Sequence, residues 1–515
     1  MAFFSFFLLL LSLLSLVPLS LSQPKGFLID CGSTVDSTIE GRRWLSDADF
    51  VSGGTPKNLT VPVLAPFLST VRSFPLQNNL RNKFCYTVKV YRGAKYMVRT
   101  SYFYGGINGR DSPPVFDQIV DGTLWRVVNT TEDYSRRMPS FYEGVFLAQG
   151  NTMSVCIGAN TYTDSDPFIS ALEFIILGET LYNSTDFNSS GLLLVARSSF
   201  GYGGPLIRYP DDEFDRFWGS FEGNNLTLAT NRSISVSGFW NIPPLKVFET
   251  ELTSNQTEPL ELNWPPVPLP NTSYYIALYF ADNRNSSSEN SRVFDISING
   301  FTYYHNLNVT PAGVAVFATR WPLSGSTKIT LSPSPGSMVG PLINAGEVFQ
   351  VLPLGGRTLT RDVIALVRIK GRLQNPPSDW NGDPCLPREY SWTGITCSEG
   401  PRIRVLTLNL TGMNISGTLS PGIAKMTALS TITLGSNRLT GPIPDLSPLK
   451  RLEILHLDGN QFSGEIPSSL GGINGLRELF LQNNNLTGQI PSSLVGKAGL
   501  DLRTTGNLIS APPPT

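Results

Sequence analysis

Charge is scarce in this chain. Asp, Glu, Lys and Arg make up 15% of 515 residues, and acids and bases nearly cancel to a net charge of −1. Such a balance offers no electrostatic footprint for nucleic acid or an anionic membrane surface. Histidine is rarer still: His305 and His456 are the only two, far apart and without cysteine or carboxylate neighbours at metal-ligand spacing. A zinc centre or histidine-based catalytic site is therefore not expected, and neither is a metal or cofactor of any kind. Glycine clusters such as Gly201-Tyr-Gly-Gly204 lack a following lysine and helix, so they read as turns instead of phosphate cradles. The His-Arg-Asp and Asp-Phe-Gly triplets of a kinase are missing. Beyond the N-terminus, no apolar run approaches the roughly 20 residues of a membrane span.

Glycine (47), proline (39) and aromatics (10%) are abundant, which favours many short strands joined by turns, in a chain long enough for about three domains. Phe3 to Leu21 form one apolar run ending in small and polar residues, so residues 1–22 read as a cleaved secretory signal with the mature chain starting near Gln23. Thirteen Asn-x-Ser/Thr sequons agree with export: Asn58, Asn129, Asn183, Asn188, Asn225, Asn231, Asn255, Asn271, Asn285, Asn308, Asn409, Asn414 and Asn485. Of five cysteines, Cys385 and Cys397 lie close together around Trp392 and are expected to pair. Cys31, Cys85 and Cys156 are an odd remainder, so at least one is free or bonded to another molecule.

An internal duplication organises the first two thirds. Tyr96-Met-Val-Arg-Thr-Ser-Tyr-Phe103, Phe116-Asp117, Asp121-Gly122 and Pro167-Phe-Ile-Ser-Ala-Leu-Glu173 recur in order as Tyr275-Ile-Ala-Leu-Tyr-Phe280, Phe294-Asp295, Asn299-Gly300 and Pro341-Leu-Ile-Asn-Ala-Gly-Glu347. The Phe-to-Gly and Pro-to-Glu spacings are both six residues in each copy. Four matching blocks in one order imply two similar domains in tandem. Period-two patterning cut by Asn-Gly and Asp-Gly turns suggests face-packed antiparallel sheets, and each copy is read as a jelly-roll β-sandwich.

Gly26-Phe-Leu-Ile-Asp-Cys-Gly32, the Cys85-Tyr86 strand, Asp166-Pro-Phe-Ile-Ser-Ala-Leu-Glu173 and Arg208-Tyr-Pro-Asp-Asp-Glu-Phe-Asp-Arg-Phe-Trp218 together resemble the malectin-like extracellular region of plant receptor-like kinases and receptor-like proteins. The resemblance covers roughly residues 25 to 352. It implies a tandem malectin-like module built on a carbohydrate-binding fold, without implying that sugar binding is retained.

After Leu352 the pattern changes. Thr360 and Asp362-Val-Ile-Ala-Leu-Val-Arg-Ile-Lys370 suit a short amphipathic helix. Asp379-Trp-Asn-Gly-Asp-Pro-Cys385 and Trp392-Thr-Gly-Ile-Thr-Cys397 resemble the disulfide-closed N-terminal cap of plant extracellular leucine-rich repeats. Repeats follow at 23 or 24 residues, with ladder asparagines at Asn437, Asn460 and Asn484, Met413 in that place in an earlier copy, and Asn507 in a degenerate last one. No cysteine-closed C-terminal cap is evident. The expected division is 1–22 signal, 23–180 and 181–352 malectin-like sandwiches, 353–400 linker, helix and cap, 401–510 leucine-rich repeats, and 511–515 Pro-rich tail. The fold class is thus mainly β: tandem jelly-roll sandwiches followed by a short solenoid.

Residues between the inward leucines face the concave side of the solenoid. Thr433, His456 and Phe480 fall in one column and Gly435, Asp458 and Gln482 in another. Ile454, His456, Asp458, Phe480 and Gln482 form the candidate partner-binding patch, with Phe480 as its apolar anchor. A candidate glycan platform is Tyr102, Tyr104, Asp117 and Trp125, since aromatic faces stack on sugars while carboxylates bond hydroxyls; the same aromatics also suit core packing. The Asp211-Asp212-Glu213-Asp215 cluster invites a glycosidase reading, but Arg208 and Arg216 offer neutralising partners. The expected function is a secreted or cell-surface recognition protein binding a cell-wall glycan, a peptide or a receptor-like kinase ectodomain. The alternatives are a carbohydrate-active enzyme, or a passive wall or inhibitor protein acting through its repeats.

Overall fold

The computed structural model describes residues 26–510 except 77–81, 111, 224–225, 230–237, 256–257, 283, 285–291, 336, 338 and 401. The signal segment, the Pro-rich tail and the sequons at Asn225, Asn231 and Asn285 lie outside the described residues. The other ten sequon asparagines are all exposed.

The duplication folds as two β-sandwiches with the same strand order. In the first, the outer sheet runs Lys83–Lys89, Thr152–Gly158, Phe116–Val120, Thr123–Val128; in the second, Leu260–Asn263, Lys328–Pro333, Arg292–Ile298, Phe301–Val309. Each hairpin closes on the repeated dipeptide, with Asp121 and Gly122 at φ of 44° and 83° and Asn299 and Gly300 at 51° and 80°. Left-handed backbone at both positions matches the right-handed twist of the strands and explains the Asx-Gly choice.

The two inner sheets are fused. One sheet runs through Gly26–Asp30, Ala171–Ile176, Lys95–Tyr102, Ser140–Leu147, Ser190–Phe200, Ala345–Pro353, Leu269–Phe280 and Val314–Gly325. The seam pairs Gly144 with Leu193 and Val145 with Leu192. Glycine is needed beside it: a Cβ on Gly191 would stand 2.7 Å from the Phe146 ring, which packs across the joint.

One face of each half holds its sandwich core, around Tyr86, Tyr102 and Phe174 in the first lobe and Trp264, Phe280 and Phe294 in the second. The opposite face of the fused sheet is covered by Leu181, Tyr182, Trp218 and Phe248 from the connecting segments. Across that face runs a buried row of alternating charge: Glu173, Arg99, Glu143, Arg197 and Glu347, on five adjacent strands. Arg99 reaches Glu173 at 3.1 Å and Glu143 at 2.8 Å; Arg197 reaches Glu143 at 2.8 Å and Glu347 at 2.7 Å, stitching the lobes across the seam. Burial pushes the Glu143 carboxyl up, but Arg197 and Arg99 outweigh it and hold the group below its ordinary value. The repeated Glu173 and Glu347 thus mark the two ends of this row.

The remainder is a solenoid with its own core of leucines and isoleucines, capped by the helix Thr360–Lys370. Cys385 is bonded to Cys397 in the cap and Cys85 to Cys156 on adjacent strands of the first outer sheet, while Cys31 is a buried free thiol. The cap sits directly on the Cys85–Cys156 bond: a Cβ on Gly382 would lie 2.8 and 2.9 Å from the two sulfurs. Lys83 Nζ donates to the Asp383 and Leu386 carbonyls at 2.5 and 2.8 Å, and Arg357 pairs with Asp121. Burial draws the Lys83 ammonium down to about 8.

Candidate functional site

The concave sheet of the solenoid runs Ile395–Cys397, Val405–Asn409, Thr431–Thr433, Ile454–His456, Glu478–Phe480 and Asp501–Arg503, parallel from the second strand onward. Leu408, Ile432, Leu455 and Leu479 point inward and are buried, which turns their neighbours outward. The spacing of the strands is held by the asparagine ladder. Asn437 accepts from Ile415 N at 2.9 Å and donates to Leu410 O at 2.7 Å; Asn460 and Asn484 repeat the arrangement. Asn507 completes it, accepting from Leu486 N at 3.0 Å and donating to Leu481 O at 2.8 Å, so the degenerate last copy still works as a repeat. Met413 is exposed where the first copy lacks its asparagine.

Strand register places Asn409, Thr433, His456, Phe480 and Arg503 in one column and Thr431, Ile454, Glu478 and Asp501 in the next. Phe480 is half-buried and flanked by two neighbouring side chains. The His456 ring lies flat against one side, with centroids 4.0 Å apart at 5°, and the Arg503 guanidinium sits 4.0 Å from the Phe480 centroid. Arg503 was missed because it belongs to the degenerate copy, although it lies one 23-residue period beyond Phe480. Carboxylates orient both flanks: Glu478 Oε2 is 2.8 Å from His456 Nε2, and Asp501 is 2.7 Å from Arg503. Hydrogen bonding to Arg503 holds the Asp501 carboxyl below its ordinary value. Asp458 occupies the space left by the missing side chain of Gly435, whose Cβ would stand 2.9 Å from it. Gln482 Oε1 and Thr433 Oγ1 are shielded from water without a hydrogen-bond partner. The face therefore combines a preformed cation–aromatic stack, flanking carboxylates and two unfilled polar positions. The exposed Asn409 sequon stands at the far end of the column.

The expected glycan platform does not form. Tyr102, Tyr104 and Trp125 are buried in the core of the first lobe. Tyr102 donates to Gln118 Oε1 at 2.7 Å and packs edge-on against Phe116 and Phe168; Trp125 packs edge-on against Phe146. No ring face is left for a sugar, because alternation along a strand does not say which sheet face is closed over. Asp117 is also buried: it accepts from Tyr390 Oη at 2.6 Å and Asn160 Nδ2 at 2.8 Å, anchoring the cap to the lobe. Two members of the acidic cluster are equally committed, while Asp211 and Glu213 are exposed. Asp212 Oδ2 accepts from Arg216 at 2.9 Å and Trp218 at 2.8 Å, while Asp215 is held by Arg42 at 2.5 Å and Arg208 at 3.1 Å. Among the described residues, no group of three His, Cys, Asp or Glu gathers at metal-ligating distance, and no helix is long and apolar enough to cross a membrane.

Residues 29–351 match the malectin-like domain model. The chain belongs to the malectin-like family. Behind the malectin-like region, residues 359–398 match the leucine-rich-repeat N-terminal domain, and 451–473 and 475–496 match leucine-rich repeats. Similar curated proteins include a probable LRR receptor-like serine/threonine-protein kinase of Arabidopsis thaliana, 32% identical over 486 residues covering 89% of this chain and 50% of the relative. A second Arabidopsis thaliana probable LRR receptor-like protein kinase is 32% identical over 83% of this chain and 49% of its own length. The chain thus spans about half the length of the curated relatives it matches. Among solved structures, the malectin-like region shares its fold with the extracellular domain of Arabidopsis thaliana ANXUR1, at TM-score 0.53 and 16% identity over 64% of this chain and 97% of that one. It shares it also with FER in a crystal structure with the plant peptide RALF23 and LLG2, at TM-score 0.52 and 18% identity over 64% and 96%. The architecture is that of a malectin-like and leucine-rich-repeat receptor ectodomain.

Proposed function

We propose that this protein is an exported, N-glycosylated, non-catalytic recognition module of receptor type, which engages a protein partner through the concave face of its repeats. The observation that carries the reading is the His456–Phe480–Arg503 stack, fixed on three adjacent parallel strands, with Glu478 on its His456 end and Asp501 on its Arg503 end. Side chains already ordered before docking lose little entropy on binding, so a small set of contacts suffices. Support for a protein partner, though not for which face it uses, also comes from FER, which shares the fold of 64% of this chain and was crystallised with a peptide and LLG2. A protein partner is favoured over a sugar because the aromatics that would stack on a sugar are in the core. A glycosidase role is disfavoured by Asp212, buried against Arg216 and Trp218, and Asp215, buried among Arg42, Arg99 and Arg208.

The test is a binding screen of the secreted protein against a panel of plant receptor-kinase ectodomains, followed by affinities for Phe480→Ala and Arg503→Glu with the fold checked by thermal melting. Phe480→Ala is expected to weaken binding by about 1–3 kcal/mol. A partner bound equally well by both variants refutes the assignment to this face.

A further inference from the structure

A cleft separates the first sandwich from the capping helix. It consists of two adjoining hollows of about 630 and 290 Å³ that share Asp121, Gln149, Arg357, Thr358 and Thr360. Their combined size lies in the range of built ligand sites. One wall is the outward side of the helix Thr360–Lys370, where Val363, Ile364 and Val367 line the cleft. Ile364 is 47% and Val367 53% exposed, although the opposite side of the helix already supplies Ala365, Leu366 and Ile369 to the solenoid core. Three branched aliphatics on the solvent side serve neither helix propensity nor solubility, and such a patch marks a contact surface.

The charge of the cleft is uneven. Its lining holds four cations, Arg92, Arg357, Lys370 and Arg402, against two carboxylates, Asp121 and Asp383. Both carboxylates are engaged internally: Asp121 with Arg357 and Ser154 N, Asp383 with the backbone N–H groups of Thr358, Cys385 and Leu386. Lys370 Nζ donates to Trp380 O at 2.6 Å and Asn381 Oδ1 at 3.3 Å and contacts no carboxylate among the described residues, with Asp379 near enough only to offset part of its charge. Arg92 and Arg402 form no ion pair with another described residue.

We infer that this cleft binds an acidic peptide whose aliphatic side chains lie on Val363, Ile364 and Val367 while its carboxylates meet Arg92, Lys370 and Arg402. A peptide fits better than an acidic glycan because the wall is aliphatic, and Trp380 and Trp392 are buried and stacked on each other at 5.1 Å. The inference rests on the recognition role proposed above but uses a different surface.

The test is fluorescence anisotropy on the secreted protein with a labelled octapeptide of alternating glutamate and leucine. Its lysine–leucine counterpart and an oligogalacturonate are run in parallel. The acidic peptide is expected to bind and the other two are not. Val367→Asp and Arg92→Glu, both at exposed positions, are each expected to weaken binding roughly tenfold with unchanged melting, and added salt to weaken it further. Phe480→Ala is expected to leave it unchanged, which separates this cleft from the concave face. Failure of the acidic peptide to bind, binding insensitive to both cleft variants, equal binding of the lysine peptide, or binding of the oligogalacturonate instead each overturn the inference.

Discussion

Replacing Arg197 by Met removes the cation that crosses the seam between the lobes. Its guanidinium is fully buried and serves Glu143 Oε1 at 2.8 Å and Glu347 Oε1 at 2.7 Å. After the change, Glu143 keeps Arg99, and Glu347 keeps the hydroxyls of Tyr182 at 2.7 Å and Tyr279 at 2.6 Å, with Arg216 as its nearby cation but no ion-pair contact. Removing one partner of a buried ion pair costs about 3–5 kcal/mol, because the remaining charge is stranded in a low-dielectric interior. At roughly 2 °C per kcal/mol for a unit of this size, the melting temperature should fall by about 6–10 °C. Neutralising the stranded partner as well, in Arg197→Met with Glu347→Gln, should recover a good part of the loss, since the amide still accepts from a tyrosine. An exposed control, Glu132→Ala, breaks the Arg136–Glu132 pair and should cost under about 0.5 kcal/mol. Differential scanning calorimetry of the four proteins is the assay. An Arg197→Met protein that melts within about 1 °C of the wild type would refute the idea that this row holds the lobes together.

Two further outcomes are expected. Burial pushes the Asp30 carboxyl up to about 6, with Thr70 opposing and Asp47 adding to the shift. A raised acid favours the folded state below its unfolded pKa and loses that contribution as pH climbs through 6, so Asp30→Asn should stabilise at pH 7.5 relative to pH 3.5 by up to about 3 kcal/mol; a pH-independent difference in denaturant midpoint would contradict this. Tyr390→Phe removes the 2.6 Å hydrogen bond to Asp117 and should cost about 1.5–3 kcal/mol, seen as faster hydrogen exchange in the cap loop 382–390 and the facing strand Thr152–Gly158, while unchanged exchange there would count against the docking account.

What could be read from the chain beforehand follows sequence distance. The duplication was legible because its blocks are contiguous, and the structure gives two of them a physical role: the Asx-Gly pairs close hairpins, and Glu173 and Glu347 end the buried charge row. The repeat period and the Cys385–Cys397 bond were legible for the same reason, being separated by only 12 residues in the case of the disulfide. Cys85 and Cys156 stand 71 residues apart and meet only because their strands are neighbours, a pairing no local spacing announces. The platform at Tyr102, Tyr104 and Trp125 failed on the same ground: period two fixes which residues share a face, and only the packing of a second layer decides whether that face is buried. Arg503 escaped through irregular flanking residues, although its register was available from the period.

The two halves of the duplication have diverged in what their outer sheets do. In the first lobe the hairpin turn at Asp121-Gly122 is covered by the cap, with Arg357 on Asp121 and Leu386 against Gly122, and the nearby disulfide forms the floor. The equivalent turn in the second lobe, Asn299-Gly300, is exposed, and beside it Phe301 is 72% exposed. One fold has thus been used once as a seat for the solenoid and once as open surface. Because Lys83, Asp117, Cys85 and Cys156 all belong to the outer sheet that seats the cap, the direction in which the concave face looks is set by the first sandwich. The cation-lined cleft lies along that same joint, so an occupant there would touch both modules at once. It would meet Asp121, Gln149 and Thr152 on the sandwich side and Val363, Ile364 and Val367 on the helix side, bridging the joint that sets where the concave face looks.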